Sequence, residues 1–345
     1  MKYLVSALVT VSILLYSCDK KSNSGTPVIT PSNLSVGALV STDSSGKVTI
    51  TASATNAVNY DYDFGNYVSK TDTGGTVTYA YPFSGTYNIT VTAKSAGGQS
   101  ISKTISVMVA VALKLLWADE FNIPGSPDPL KWGFDTGTGS GGWGNNELEY
   151  YTNRPANVVI SNGTLKIIAI KESYGGSQYT SARILTNNLF SFDYGKIEVR
   201  ARLPASTGTW PAIWMLGNDL RTAGWPACGE IDIMEQSGSQ KSTIYGTLHY
   251  PTEANPYGDG SSTTNSTAST AFHIYTALWT PTSIQLSVDS TIYYSRSNDS
   301  VLPFNHPFFI ILNLAMGGNF GGTVDPTFTT DQMDCLLYTS DAADE

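Results

Sequence analysis

The chain of 345 residues carries 19 Lys+Arg against 28 Asp+Glu, a net charge of −9, with charged residues at only 14%. So low a charge density excludes a disordered tail or a coiled coil, and the lack of a Lys/Arg cluster excludes nucleic acid as a partner. Three Cys and three His leave little for a disulfide framework or a zinc site, whereas 32 Gly, 20 Tyr, 12 Phe and 7 Trp suit a β-rich protein that stacks on an uncharged ligand.

The N-terminus begins Met1-Lys2 and continues with the apolar run LVSALVTVSILLY over 4–16. That run is too short for a membrane-spanning helix, which needs about 20 residues, and has the form of a signal-peptide core. It stops at Ser17-Cys18, which resembles the lipobox of bacterial lipoproteins. The resemblance implies a signal over 1–18, lipidation of Cys18, a tether over 19–27, and an exported protein held at the outer membrane or cell surface by a lipid anchor. An ordinary cleaved signal with an incidental Cys is the alternative. With Cys18 as an anchor, Cys228 and Cys335 remain, so disulfides do not hold the fold together.

From 28 to 110 the chain reads as short Val/Ile/Thr/Tyr runs punctuated by Gly, Ser and Asn. In TYNITVTA, Tyr87, Ile89 and Val91 alternate with Asn88, Thr90 and Thr92, the period of a half-buried strand. The spacing predicts an Ig-like sandwich. The segments YDYDFGN (60–66) and YPFSGTYNITVTAKSAGG (81–98) resemble the PKD domain, which implies a spacer or a carbohydrate-proximal support. Asp61 and Asp63 read as turn acceptors at a strand end, with a calcium site as the alternative.

Trp first appears at Trp117, and the texture changes with it. In GKIEVRARL (195–203), Ile197, Val199, Ala201 and Leu203 share one face, and Lys196, Glu198, Arg200 and Arg202 the other. This is a strand of an antiparallel sheet with one wet side. No window of helical period reaches a useful length, so the fold class is all-β, with residues 113–334 forming a large jelly-roll sandwich after the Ig-like module.

The sharpest chemical signal is Gly229-Glu230-Ile231-Asp232-Ile233-Met234-Glu235. On a regular strand Glu230 and Asp232 share a face and Glu235 falls on the other, which would bury a carboxylate at considerable cost. One bulged residue between Asp232 and Glu235 flips the parity and puts all three acids on one face. Two carboxyls about 5 Å apart are the pair a retaining glycosidase needs.

This E-x-D-x-x-E spacing resembles the signature of glycoside hydrolase family 16. Further matching segments are LLWADEF (115–121), GWGNNELEYYT (142–152), YTSARILT (179–186), GTWPAIWMLG (208–217), WPACGEIDIME (225–235), GTLHY (246–250) and NLAMGGNFGG (313–322). The five-residue spacing is similar to the laminarinase branch, which cleaves internal β-1,3 bonds of β-glucans. The resemblance implies Glu230 as nucleophile, Glu235 as acid/base and Asp232 as the residue that orients the nucleophile. It also implies a concanavalin-like glucanase fold.

Trp143, Trp210 and Trp225 are expected as sugar platforms, since sugar rings present apolar C–H faces. Trp214, in AIWML, divides evenly between platform and core. His249 resembles the family's active-site histidine, and Arg183 and Asn319 its polar subsite residues; Phe320 stands where many laminarinases carry Trp. Cys228 reads as a small buried hydrophobe. Mixed-linkage glucan, agarose or carrageenan specificity, and a non-catalytic carbohydrate-binding surface protein, are the competing readings.

The end of the chain, DCLLYTSDAADE (334–345), lacks the alternation of the family's terminal strand. Residues 335–345 are therefore expected to be an atypical tail, with one strand missing and a sheet edge exposed. Family members often hold a structural calcium near the domain's termini. Glu120 matches a position near the start, but with the partner strand missing no metal is assigned, and no cofactor is required. Nothing demands more than a monomer.

Overall fold

The computed structural model describes residues 29–66, 68–251 and 258–343, with Leu113 and 337–343 described by their backbone alone. Cys18 and the apolar run before it lie outside these residues. Among the described residues no helix is long and apolar enough to cross a membrane.

Two sheets make up the N-terminal module. One runs Ser32–Val40, Lys47–Thr55, Thr76–Ala80; the other runs Ser69–Asp72, Asn59–Asp63, Gly85–Lys94, Ser100–Val109. The predicted alternation in the Gly85–Lys94 strand holds: Ile89, Val91 and Ala93 are fully buried and join Val48, Ile50 and Tyr62 in one core. Tyr79, Tyr81 and Tyr87 add stacked and edge-on ring contacts. Asp63 accepts from the Gly65 N–H at 2.9 Å, as a turn acceptor does, while Asp61 accepts from Thr71 at 2.7 Å and pairs with Lys94.

The C-terminal part is a sandwich of a ten-stranded and a seven-stranded sheet. The seven strands follow the order Asp259–Thr264, Thr243–His249, Glu230–Glu235, Thr209–Gly217, Phe308–Met316, Arg183–Leu185, Gly133–Asp135. Ile197, Val199 and Ala201 from the Gly195–Arg202 strand face Ile213, Ile231 and Leu312 in a single core, as their two-residue period predicts. Cys228 and Cys335 are buried free thiols, so no bridge links them.

The final strand is present, contrary to the sequence expectation. Thr330–Ala343 lies inside the ten-stranded sheet, pairing with Thr164–Tyr174, Gly195–Arg202 and Leu113–Asp119. Flanking strands supply backbone donors and acceptors whatever the side chains, and the inward residues Met333 and Cys335 are apolar enough to seal the core. The alternation breaks at Leu336, which a register shift between Arg200 and Ala201 leaves unpaired, while Asp334 is buried on the face opposite Met333 and Cys335 by Lys166 at 2.9 Å and Arg202 at 2.5 Å. Removing it leaves Lys166, the less exposed of the two cations, without its anion, so Asp334→Ala is expected to cost about 2 kcal/mol in urea unfolding at pH 7.

Candidate active site

The acidic strand owes its geometry to one extra residue. Against Thr209–Gly217, Met234 pairs with Ile213 and Asp232 with Trp214, leaving Ile233 unpaired; against Thr243–His249 the register jumps between Asp232 and Glu235. The bulge turns Ile233 and Met234 inward together, both fully buried with Ile231, and Glu230, Asp232 and Glu235 all face one cleft of about 770 Å³. Gly229 precedes the strand at φ 72°, where a Cβ would meet the Pro303 carbonyl oxygen at 2.5 Å.

Each acid has a built partner. Trp225 Nε1 donates to Glu230 at 3.0 Å, and Trp210 Nε1 donates to Glu235 at 2.9 Å. His249, directly across the ladder from Glu230, places Nε2 2.9 Å from Asp232 and 3.7 Å from Glu230. Glu230, Asp232 and His249 also form the one group with metal-ligand spacing among the described residues. The strand that a calcium position near Glu120 would need as its neighbour is present in the sheet, with the side chains of 337–343 outside the described ones.

The candidate tryptophans all line the cleft. Trp225 is 47% exposed, its ring tilted against His249, whereas Trp210, at 9%, works through its N–H and an edge contact with Phe320. Trp214 turns to the cleft side, donating to Asn313 at 2.8 Å. Arg183 is held differently from a simple subsite residue: its guanidinium lies between Trp143 and Trp214, 4.8 and 4.7 Å from the ring centres, and pairs with Asp135 at 3.0 Å. It therefore fixes two aromatic walls. Asn319 accepts from Asn146 at 2.9 Å and joins the Trp143 turn to the Gly318–Gly321 turn at one end of the cleft.

Burial dominates the electrostatics. It pushes all three carboxyls up, with Asp232 the next cause for Glu230 and Glu235 the next for Asp232; for Glu235 the Trp210 N–H works in the opposite direction. So dry a site favours the protonated form of a carboxyl, which suits the one that has to serve as an acid.

Several residues of the site were silent in the sequence. Glu147 lines the cleft, accepts from Tyr151 at 2.9 Å, and ends a chain running Trp214 to Asn313 to Tyr151. Behind it Glu149 is buried, accepts from the Met316 N–H at 2.6 Å, and is pushed well above the carboxylate range by burial and by Glu147. Glu149 opens the short strand Glu149–Tyr151, and Glu147 precedes it at an isolated bridge to Gly317, so no periodicity in the sequence marks the pair.

Lys241 was also missed, being a lone Lys in a polar turn. It donates to Thr209 through the carbonyl at 2.8 Å and the hydroxyl at 2.6 Å, beside Trp210, and burial lowers its pKa to about 7. Between about pH 7 and its ordinary 10.5 the unfolded chain binds the proton and the folded one does not, so this group makes stability rise with pH across that window. Lys241→Met is expected to flatten that rise in unfolding measurements from pH 7 to 10.

An all-β sandwich with a bulged strand of three carboxylates in an aromatic cleft defines a carbohydrate-cleaving enzyme. Residues 145–335 match Glycosyl hydrolases family 16, and residues 23–108 match the PKD domain. The chain is similar to a beta-glucanase of Rhodothermus marinus, 45% identical over 230 residues that cover 62% of this chain and 79% of that protein. It is also similar to a glucan endo-1,3-beta-glucosidase of Cryptopygus antarcticus, 40% identical, covering 60% and 81%. The solved laminarinase of Rhodothermus marinus superposes with a TM-score of 0.64 at 41% identity, over 68% of this chain and 99% of that one. The chain belongs to glycosyl hydrolase family 16 and is a glycoside hydrolase acting on O-glycosyl bonds.

Proposed function

We propose that the protein is a retaining hydrolase of internal β-1,3 bonds in laminarin-type β-glucan, working in two displacements. The observation that carries the reading is the bulge, which gives one cleft both carboxylates that such a mechanism requires. The glucanase and laminarinase names of the relatives support the substrate.

In the first displacement Glu230 attacks the anomeric carbon, while Glu235 gives its proton to the glycosidic oxygen. The C–O bond breaks, its electrons stay with the departing sugar, and a glucosyl ester forms on Glu230. Water then enters, Glu235 takes its proton, and the water oxygen bonds to the anomeric carbon as the electron pair returns to Glu230. The Trp225 N–H supports the charge on Glu230, and Asp232, 2.9 Å from His249 Nε2, holds that ring 3.7 Å from Glu230. Neutral aromatic walls suit a neutral glucan, which needs stacking and hydroxyl partners rather than cations.

The reading divides the chain into an anchor and tether through 27, a spacer over 28–110 and a catalytic unit from 113. Cys18 is its lipid attachment point at the outer membrane or cell surface; incorporation of labelled palmitate that Cys18→Ser abolishes tests this. For the activity, reducing ends are measured on laminarin, lichenan, agarose and carrageenan. Laminarin is expected to be cleaved. A cut galactan with laminarin untouched overturns the specificity, and no cleavage of any of them overturns the enzyme reading.

A further inference from the structure

The bulge that aligns the three acids leaves Ile233 outside both ladders of its sheet. An unladdered peptide in mid-strand is free to tilt, and Glu235, two residues on, would move with it. A one-residue slip would turn Glu235 into the core. Something has to hold that peptide plane.

The Ile233 carbonyl is met from the opposite sheet: the Tyr293 hydroxyl donates to it at 2.7 Å. Tyr293 is itself an extra residue. In the pairing of Ser283–Val288 with Thr291–Ser297, Leu286 faces Tyr294 and Ser287 faces Ile292, which leaves Tyr293 without a ladder partner. One bulge thus reaches across the sandwich to hold another. A third strand makes room for the contact. Gly246 lies between Tyr245, opposite Glu235, and Thr247, opposite Asp232, and a Cβ there would meet the Tyr293 hydroxyl at 2.4 Å.

We propose that Tyr293 is a positioning residue that locks the bulge of the acidic strand and so aims Glu235 at the glycosidic oxygen. This rests on the acid/base role assigned above to Glu235. Tyr293 touches no substrate; it acts through the Ile233 peptide. Burial, followed by the charges of Asp232 and Glu235, pushes its hydroxyl up, so it remains a donor throughout the working pH range.

The variants are Tyr293→Phe, which removes one oxygen, and Gly246→Ala, which displaces the hydroxyl and leaves the tyrosine. Each is measured on a laminari-oligosaccharide and on a dinitrophenyl β-glycoside of laminaribiose with azide present. The second substrate needs no proton on its leaving group, and azide needs no base. The expected result is a fall in kcat of about tenfold on the oligosaccharide with KM little changed, the rate equivalent of one buried hydrogen bond. On the dinitrophenyl substrate with azide the loss disappears. An equal loss on both substrates, as general loosening would give, or no loss on either, overturns the proposal. Glu235→Ala is run in parallel. If it lacks the leaving-group signature, the acid/base reading fails; if it has the signature and the other two variants do not, only the role of Tyr293 fails.

Discussion

Glu230→Gln is expected to lower laminarin hydrolysis by more than the roughly 10²–10⁴-fold that acid–base assistance supplies, because it removes the bond-forming electron pair itself. The amide keeps the shape of the carboxylate and still accepts from Trp225 Nε1, so the cleft should keep its form. Folding should not suffer. Burial and Asp232 raise Glu230 well above 4.5, so above that pH the folded protein must hold a charge that the unfolded chain carries at no such cost. Stability from this group therefore falls as pH rises, and the neutral amide is spared that penalty. Activity assays paired with thermal unfolding at pH 7 should give a dead enzyme at least as stable as the wild type.

Glu235→Ala is expected to cost about 10²–10⁴-fold on glucan, the usual worth of a positioned acid/base. Unlike the first substitution, it should depend on the leaving group. With a dinitrophenyl leaving group the first displacement proceeds without a proton, the glucosyl ester accumulates, and added azide discharges it as the β-glycosyl azide. For Glu230→Ala, which opens the space the carboxylate filled, azide attacks the substrate directly, and the product is the α-azide. The anomer of the azide, read by proton NMR, thus separates the two roles assigned to these glutamates.

The sequence carried the architecture of this site further than its wiring. The parity of Glu230, Asp232 and Glu235 demanded a bulge, because no regular strand buries three acids without partners, and the register jumps where parity required it. Composition and alternation likewise gave the two β modules. The partners were not legible. Tyr293, Glu147 and Lys241 lie far from the acids or in unpatterned turns, and their roles exist only once two sheets face each other. Arg183 was visible as a polar residue, but its seat between Trp143 and Trp214 depends on three separate segments meeting. The end of the chain misled for a related reason. Alternation reports burial and not pairing, and Thr330–Ala343 is held by the backbones of three neighbouring strands.

The central claim is that Glu230 forms a covalent bond to a β-1,3-linked glucosyl unit. A 2-deoxy-2-fluoro-laminaribiosyl fluoride, which reacts in the first displacement and stalls before the second, tests it by peptide mass spectrometry of the treated full-length protein. The expected result is one added disaccharide on Glu230, lost when excess laminaribiose is supplied as acceptor. Labelling at Asp232 or Glu235, or an enzyme that cleaves laminarin and takes up no label, would contradict it.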